Sequence, residues 1–548
     1  MKYCQKDTHP EGWGMLHQAI GNAHYYQGVG KKNYHQYWLQ AEAEYKQALI
    51  TLTPEAFPEL HLKVLQKLIR VLLGLKKDDE AKQYRRQALE VFRNLLNRDK
   101  SSSQKRKLQA EFSGFSQMRV DVLIEDGDFI PALEAAERNK NFFLTWILDN
   151  QKEHILNPSY TEIQELINPN TAIIYWHLSP FALTTFIIKP GADKPIVIPT
   201  QKPDNLAAWI KNWDKQYENY RKGKKQQPSN PDWRNNLPQL LEQLREILNI
   251  PHITETIQNL ILIPHRDLHR FPLHALFPDN FTINYLPSAQ IGLTLNSQSQ
   301  NIINPNLLIV EYSGAGREDE GLERLTYAQI ESETIAQIFT NTNLKHLCDN
   351  EANKNTVTQA LTAGYNIFHF SGHGSYDNKH PKNSAIYLSH DSTEETNPDL
   401  TLPEIRNLNL SGYQLVSLSA CETAITGNET VEAEYVGLVS AFLYQGVSHV
   451  VSSLWTVNEI STSLLMIYFY RQIRKGKTPK IALARAIKWL RSLNYRKLEI
   501  FYRFSFNQLS QGDSSRIILQ AYLKSIENNK DKLFDHPYYW AGFIITGV

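Results

Sequence analysis

The 548-residue sequence is poor in cysteine and carries almost no net charge. Its three cysteines, Cys4, Cys348 and Cys421, are far apart. Three isolated cysteines cannot form a disulfide framework or a zinc knuckle, so we expect a reducing, cytoplasmic compartment. Lys and Arg total 58 against 57 acidic residues, which gives a net charge of +1. This balance excludes a global attraction to nucleic acid, and no direct nucleic acid binding is expected.

Long apolar segments are also scarce. Residues 1–14 contain no apolar run, which predicts that no signal peptide is present. Residues 435–455 carry no formal charge and are long enough to span a bilayer. Their first half has helical character, their second half is rich in Val and Ser, and Gly446 separates the two. We therefore expect a buried helix followed by a strand, with no membrane association.

No phosphate-binding loop of the GxxxxGK type occurs in the sequence, so nucleotide hydrolysis is unsupported and no cofactor is expected. His265, His269 and His274 are spaced around prolines with no accompanying cysteine or carboxylate set, which makes a zinc site improbable. Hydrophobic residues make up 42% of the chain and aromatics 11%, enough for a sizeable core. The length predicts several domains.

The first region, residues 1–150, is predicted to be all-helical and repetitive. Pro10-Glu11 recurs as Pro58-Glu59, and the segment around Ala41 and Ala48 recurs around Ala81 and Ala88. Helix pairs with small residues where they cross are typical of helical solenoids, and the spacing resembles tetratricopeptide repeats. A third helix pair is expected on either side of Asp126-Gly127-Asp128. The alternative is a generic helical bundle with chance similarity.

The remaining sequence predicts two further regions, 151–300 and 301–548. In the first, short β-rich runs over 171–199 are followed by helices and by the apolar run 259–264. In the second, strand-like and helix-like segments alternate regularly, which predicts a mostly parallel sheet covered on both faces. Ligands of such sheets collect at the carboxyl ends of the strands. Candidate catalytic residues are therefore sought there.

Two predicted strand ends carry reactive side chains. Phe368-His369-Phe370 leads into Ser371-Gly372-His373-Gly374, and Val416 to Ser419 leads into Ala420-Cys421-Glu422. The intervening sequence is long enough for a crossover connection, so the two strands can be neighbours. His373 and Cys421 would then face one cleft, where an imidazole can assist ionisation of a thiol. This predicts a Cys/His acyl-transfer site, whereas His369, further back on its strand, is expected to be a packing residue.

The order of the two residues discriminates among Cys/His enzymes. Histidine precedes cysteine here, as in caspase-like folds, whereas papain-like enzymes place the cysteine first. Ser419-Ala420-Cys421-Glu422-Thr423 also lacks the glycine-flanked elbow of glutamine amidotransferases. The alternative is that His373 is a structural histidine and that Cys421 is an inert buried thiol.

The Ser-Gly-His-Gly and Ser-Ala-Cys-Glu-Thr motifs resemble the CHAT family, caspase-like peptidases associated with tetratricopeptide repeats. Further similar segments are 262–273, 285–289, 328–339, 434–442, 453–455 and 537–543. The resemblance implies an α/β caspase-like three-layer sandwich. In it, 151–300 would be a degenerate pseudo-caspase half and 301–548 the catalytic half, both preceded by the tetratricopeptide-like helices of 1–150.

The resemblance also implies roles for individual residues. His373 would be the base and Cys421 the nucleophile of a cysteine endopeptidase, with the backbone N–H groups of Gly374 and Cys421 forming the oxyanion hole. Candidates for the substrate pocket are Glu422, Glu434 and Trp455.

The implied partners are a protein substrate and a regulatory or activator protein, including an RNA-guided effector complex, bound by the repeats in a bacterial signalling, defence or cell-death pathway. The alternative function is a non-catalytic scaffold whose caspase-like domain transmits partner binding.

Overall fold

A computed structural model describes most of the chain. The residues it does not describe are 1–3, 98–101, 149–156, 202, 227–231, 251–252, 254–255, 299–301, 303, 321, 323, 376–382, 391–396, 421–436, 507–513 and 528–530. The chain folds into two compact units: residues 1–139 with 178–183, and residues 140–177 with 184–548.

The first unit is helical. Its elements are α1 (Pro10–Gly28), α2 (Tyr34–Thr51), α3 (Pro58–Gly74), α4 (Asp78–Asn97), α5 (Ser102–Glu111), α6 (Ser113–Glu125) and the first part of α7 (Phe129–Leu148). Consecutive helices pack together, α1 on α2, α2 on α3 and α3 on α4, as a solenoid requires. Tyr45 is fully buried between Ala41 and Ala48. A Cβ atom at Gly21 would lie 2.7 Å from the Tyr45 ring, so this crossing needs glycine.

The turn predicted at Asp126-Gly127-Asp128 is present. Gly127 has a φ of +83°, a left-handed conformation that glycine adopts without strain. The first helix of the third pair, which the sequence predicts over roughly 107–125, is interrupted at Phe112, so that α5 and α6 are separate helices.

The second unit is built on an eleven-stranded sheet of order β3-β2-β1-β4-β5-β14-β13-β12-β8-β6-β7. The strands are β1 (Thr171–Leu178), β2 (Leu183–Ile188), β3 (Ile196–Gln201), β4 (Asn259–Ile263), β5 (Thr282–Tyr285), β6 (Asn306–Tyr312), β7 (Asn343–Cys348), β8 (Ile367–Gly372), β12 (Leu415–Ser419), β13 (His449–Ser453) and β14 (Phe543–Gly547). A separate small sheet contains β9 (Gly374–Ser375), β10 (Ala385–Ile386) and β11 (Leu400–Thr401).

Most recorded strand pairs of the large sheet are parallel. β1–β4, β4–β5, β5–β14, β6–β7, β6–β8, β8–β12 and β12–β13 run parallel. β14 is antiparallel to β13, with His449 opposite Gly547. Because β14 also pairs with β5, it joins the strands of 171–285 to those of 306–453 in one continuous sheet.

Helices cover both faces of this sheet. They are α8 (Tyr160–Gln164), α9 (Pro203–Gln226), α10 (Asp232–Ile247), α11 (Ala289–Gln298), α12 (Thr326–Ile338), α13 (Lys354–Leu361), α14 (Leu402–Arg406), α15 (Leu438–Tyr444), α16 (Glu459–Arg474), α17 (Pro479–Arg491), α18 (Tyr495–Phe506) and α19 (Ser514–Ser525). Neighbouring residues on a strand face opposite sides of the sheet. Phe368 contacts Phe442 of α15, whereas His369 contacts Tyr470 of α16. The helix–sheet–helix sandwich expected from the sequence is confirmed.

Two details of the sequence prediction are wrong. The composition of 221–231 predicts a solvated loop, but α9 continues through Arg221 to Gln226, because charged residues tolerate a helix that is exposed on one side. The apolar pattern of 540–546 predicts a strand from Trp540, but β14 begins only at Phe543, since Pro537–Tyr539 forms a 3₁₀ turn before it. Among the residues that the structure describes, none of the helices combines the length and apolarity that a membrane crossing requires.

Candidate active site at the ends of β8 and β12

The two strands that precede His373 and Cys421 are adjacent and parallel. Ile367 pairs with Leu415, and the register continues to Ser371 opposite Ser419. His373 and Cys421 each lie two residues beyond that last pair in the sequence. Both strands are fully buried, as expected for apolar strands inside a parallel sheet. The adjacency that the sequence reasoning required is therefore present.

His373 is the single residue between β8 and β9, and it is partly exposed. Gly372 precedes it, and a Cβ atom there would lie 2.7 Å from the carbonyl oxygen of Tyr312, so only glycine fits. The carbonyl of His373 accepts a hydrogen bond of 2.9 Å from the backbone N–H of Tyr387. Gly374, a predicted oxyanion-hole residue, pairs with Ile386 of β10. The small sheet thus fixes the backbone that carries the histidine.

Three predicted site residues, Cys421, Glu422 and Glu434, fall outside the described residues, which resume at Gly437. The described part of the cysteine strand ends at Ala420, which is 3% exposed. Its carbonyl oxygen accepts a hydrogen bond of 2.6 Å from the Ser453 hydroxyl, at the end of β13. The roles assigned to these three residues stay predictions.

Trp455 lies in the interior. It is 1% exposed, its indole N–H donates to the carbonyl of Tyr538, and its ring packs edge-on against Trp233. Its assignment to the substrate pocket stays a prediction, and these contacts are those of a core tryptophan.

Arg317 makes a set of hydrogen bonds, here called the arginine clasp, next to the segment that contacts His373. Arg317, in the loop after β6, is 4% exposed and donates to the carbonyl of Leu388 and to the carboxylate of Asp399, at 2.8 and 2.5 Å. It also donates to Glu320 at 2.7 Å. Hydrogen bonds from Arg317, and next from His390, lower the pKa of Glu320 to about 2. Leu388 directly follows Tyr387, so the clasp holds the segment that hydrogen-bonds His373.

A buried polar chain crosses the two strands behind the site. The Nδ1 atom of His369 lies 2.7 Å from Ser417 Oγ, which in turn lies 2.6 Å from the hydroxyl of Tyr470 on α16. The Nε2 atom of His369 lies 3.1 Å from a carboxylate oxygen of Glu331 on α12, although the two atoms are not aligned for a hydrogen bond. His369 is fully buried but hydrogen-bonded, so it joins β8 to β12 as well as packing.

Sequence reasoning missed Glu311, which pairs in register with Ser371. Burial, and then the neighbouring charges of Asp349 and Glu333, raise the pKa of Glu311 to about 7. A single carboxylate at the end of the otherwise apolar run 307–312 was the signal that could have revealed it.

Cys348 is the cysteine of this unit that the structure describes. Its sulfur lies 3.2 Å from His346 Nε2. Burial, and then the charge of Glu311, raise the pKa of Cys348 to about 12, so this thiol stays protonated and is a poor nucleophile at neutral pH. The environment of Cys348 therefore offers no competing nucleophilic site.

The three histidines around Pro272 have separate surroundings. His265 stacks on His177 with ring centroids 5.0 Å apart, and His274 Nδ1 lies 2.9 Å from the hydroxyl of Tyr285. Within the described ranges, no group of three or more His, Cys, Asp or Glu side chains is arranged to hold a metal ion.

A cavity of about 620 Å³, its open mouth included, lies between β5, β14 and α17. It is lined mainly by apolar side chains such as Phe281, Ile487 and Ile545, with Arg491 at its edge. None of the predicted site residues that the structure describes lines it, so it is separate from the candidate active site.

Comparison with known proteins defines the class of fold and then the family. A chain of the Saccharomyces cerevisiae separase–securin complex is 11% identical, with a TM-score of 0.53, and the match covers 98% of this chain and 46% of that one. The fold is caspase-like. The CHAT domain model matches residues 238–548, more than half of the sequence. The chain belongs to the CHAT domain family.

A second structure is more distant. The complex of Porphyromonas gingivalis RgpB pro- and mature domains is 10% identical, with a TM-score of 0.32, and the match covers 56% of this chain and 68% of that one. This likeness is too low to carry an argument. The chain spans less than half the length of the separase chain that it matches. No curated protein sequence matches it.

Proposed function

We propose that this chain is a cysteine endopeptidase that uses His373 and Cys421. The observation that carries the proposal is the register of β8 and β12, which sets Ser371 opposite Ser419, two residues before the histidine and the cysteine. Neighbouring parallel strands are about 4.8 Å apart, which is within the combined reach of the two side chains. Membership of the CHAT domain family supports the same chemistry.

The proposed reaction begins with transfer of the Cys421 thiol proton to His373. The thiolate attacks the peptide carbonyl carbon, and the carbonyl electron pair moves to the oxygen, which the N–H groups of Gly374 and Cys421 stabilise. Collapse of this intermediate breaks the C–N bond, and the leaving amine takes the proton from His373. A water molecule, deprotonated by His373, then hydrolyses the thioester and releases the acid and Cys421.

The helical unit is proposed to recruit the protein substrate or an activator, in a bacterial signalling, defence or cell-death pathway. Support comes from its exposed apolar side chains. Six of the ten large apolar residues that are exposed in the described chain lie on α1, on α2 or between them: Met15, Leu16, Tyr26, Val29, Leu39 and Ile50. Exposed apolar surface of this kind is typical of protein-binding faces.

Chemical labelling of the cysteines tests the proposed dyad without knowledge of the substrate. The chain is treated with iodoacetamide at pH 7, and alkylation of each cysteine is followed by peptide mass spectrometry. We expect Cys421 to react at least tenfold faster than Cys348, and His373→Ala to slow Cys421 at least tenfold. His35→Ala, which alters an exposed histidine of the helical unit, is the control. Equal rates for Cys421 in wild type and in His373→Ala would contradict the dyad.

Peptide-bond cleavage is tested on a protein library with the intact chain. Cleavage is expected for wild type and for Cys348→Ala, and is expected to disappear in Cys421→Ala. Cleavage that persists at the wild-type rate in Cys421→Ala would exclude Cys421 as the nucleophile.

A further inference from the structure

Ser453 is tied to the peptide unit that precedes Cys421. Its hydroxyl lies 2.6 Å from the carbonyl oxygen of Ala420, and both residues are buried. The backbone of Ser453 is itself fixed, because it pairs in register with Phe543 of β14, and the next residue, Leu454, donates its N–H to the carbonyl of Gly542. The hydroxyl therefore acts from a rigid strand end.

The carbonyl that Ser453 holds belongs to a peptide unit whose other end is the N–H of Cys421. A trans peptide is planar, with its C=O and N–H pointing in opposite directions. An interaction that fixes the direction of the carbonyl therefore also fixes the direction of the N–H. Rotation about this unit is the motion that a hydrogen bond to the Ala420 oxygen opposes.

We propose that Ser453 is a positioning residue for the oxyanion hole, which aims the Cys421 N–H through the Ala420 carbonyl. This inference rests on the proposed function, because the N–H of Cys421 is a predicted donor to the oxyanion. Donors of an oxyanion hole act by being oriented before the charge develops, and removing one such donor slows catalysis by about 10²–10³-fold. Misorienting a donor has a smaller effect of the same kind.

The neighbouring serine supplies a matched control. Ser452 precedes Ser453 on β13, and both are fully buried. The Ser452 hydroxyl makes no hydrogen bond to the described residues. Ser452→Ala and Ser453→Ala thus remove the same atom from adjacent buried positions, and only the second removes the contact with Ala420.

Two reagents separate the oxyanion hole from the nucleophile. Iodoacetamide reacts with Cys421 at a saturated carbon, so the sulfur–carbon bond forms as iodide leaves and no oxyanion arises. With p-nitrophenyl acetate, the thiolate attacks a carbonyl carbon, the electron pair moves to the oxygen, and its return expels p-nitrophenolate and leaves S-acetyl-Cys421. Both products are quantified on the Cys421 peptide by mass spectrometry, in a Cys348→Ala background.

We expect Ser453→Ala to keep the rate of alkylation within about twofold and to reduce the rate of acetylation at least tenfold. Ser452→Ala should leave the ratio of the two rates unchanged, and Ser453→Thr, which retains a hydroxyl, should restore it. A merely structural role would slow both reagents together. An unchanged ratio in Ser453→Ala, an equal fall in Ser452→Ala, or an equal slowing by both reagents would overturn the proposal.

Failure of the proposed function remains distinguishable. If His373→Ala leaves both rates unchanged, the dyad is wrong, whatever Ser453→Ala does. If His373→Ala slows both reagents and Ser453→Ala changes neither, the dyad stands and the positioning role of Ser453 is wrong.

Discussion

The same arrangement of two parallel strands occurs twice in the second unit. The residues that follow the last strand pair are buried in one case and include a partly exposed histidine in the other. β1 and β4 are parallel neighbours whose last pair is Tyr175 with Ile263, as β8 and β12 end at Ser371 with Ser419. Two residues beyond the first pair come His177 and His265, and two residues beyond the second come His373 and Cys421.

The end of β1 and β4 is closed by packed side chains. The rings of His177 and His265 stack and are 1% and 2% exposed. The ammonium of the fully buried Lys140 donates to the carbonyl of Pro264 and lies 5.2 Å from the centre of the Tyr175 ring. Burial, and next the charge of Lys140, lower the pKa of His265 well below its usual value. By contrast, His373 is partly exposed. The two ends also differ in the strand itself, because His177 lies within β1, which runs to Leu178, whereas β8 ends at Gly372, before His373.

The largest expected effect contrasts the two equivalent histidines. His373→Ala should slow acylation of Cys421 by about 10²-fold or more, because general base assistance contributes that much, with little change in stability. His265→Ala should instead reduce the free energy of unfolding by about 2–4 kcal/mol, because it leaves a cavity beside Lys140, and should leave the acylation rate unchanged. Urea denaturation and p-nitrophenyl acetate kinetics measure the two effects. Loss of acylation in His265→Ala would break the comparison.

The next effect contrasts two arginine–aspartate pairs. Asp399→Asn weakens the clasp on Arg317 beside His373, and we expect a fall of about tenfold in the acylation rate with about 2–3 kcal/mol of lost stability, since Asp399 is buried. Asp214→Asn makes the same change at Arg270 in the other half, where Asp214 is 39% exposed. For Asp214→Asn we expect a loss of stability of less than about 1 kcal/mol and an unaltered acylation rate. Equal loss of activity in both variants would show that the clasp has no special relation to the site.

The third effect is a loss of stability with rising pH, which is caused by Glu311. Its pKa is raised to about 7 in the folded state, from an ordinary value of 4.5. Between these values the folded protein keeps a proton that the unfolded chain has lost, so stability falls as the pH rises through this window. The free energy of unfolding of Glu311→Gln, relative to that of wild type, should therefore rise by about 2 kcal/mol between pH 4.5 and pH 8. Urea unfolding at the two pH values measures this change. A gain that is independent of pH would mean that Glu311 stays ionised.

The smallest effect is a loss of stability with falling pH, which is caused by His274 in the other half of the unit. Burial lowers the pKa of His274 to about 4, so the folded protein keeps this ring neutral. Below about pH 6.5 the unfolded chain binds a proton that the folded chain does not, and stability falls as the pH decreases from 6.5 to 4. His274→Gln should reduce this fall by about 1–2 kcal/mol, and His35→Gln, at an exposed position, serves as the control. An unchanged slope in His274→Gln would place the acid sensitivity elsewhere.

The sequence was sufficient to predict the buried strands, but not the edge strand or the long-range side-chain contacts. The pattern of 366–370 and 414–419 predicts two buried strands, and the structure confirms that they are neighbours. β7 was missed because it is an edge strand, half-exposed and interrupted by Lys345 and His346, which blurs its pattern. The clasp between Arg317 and Asp399 joins residues 82 positions apart, and no local period encodes such a contact.

The site itself was predicted in part. The motifs predict His373 and Cys421 as the catalytic pair, and this assignment stays a prediction. The structure shows that β8 and β12, the strands that precede them, are neighbours. Ser453 was noticed only as part of a similar segment, because its relation to Ala420 depends on β13 lying beside β12. That adjacency is a property of sheet order, which the sequence does not display.

The central place of β14 has a consequence for synthesis. This strand is the last of the described strands in chain order, yet it lies in the middle of the sheet, between β5 and β13. Until residues 543–547 have been made, the strands on either side are two fragments with an open edge each, and such long-range pairing forms slowly. Ser453, paired with Phe543, gains its rigid backbone only at that moment. The two parts of the sheet can therefore be joined only after this strand has emerged from the ribosome.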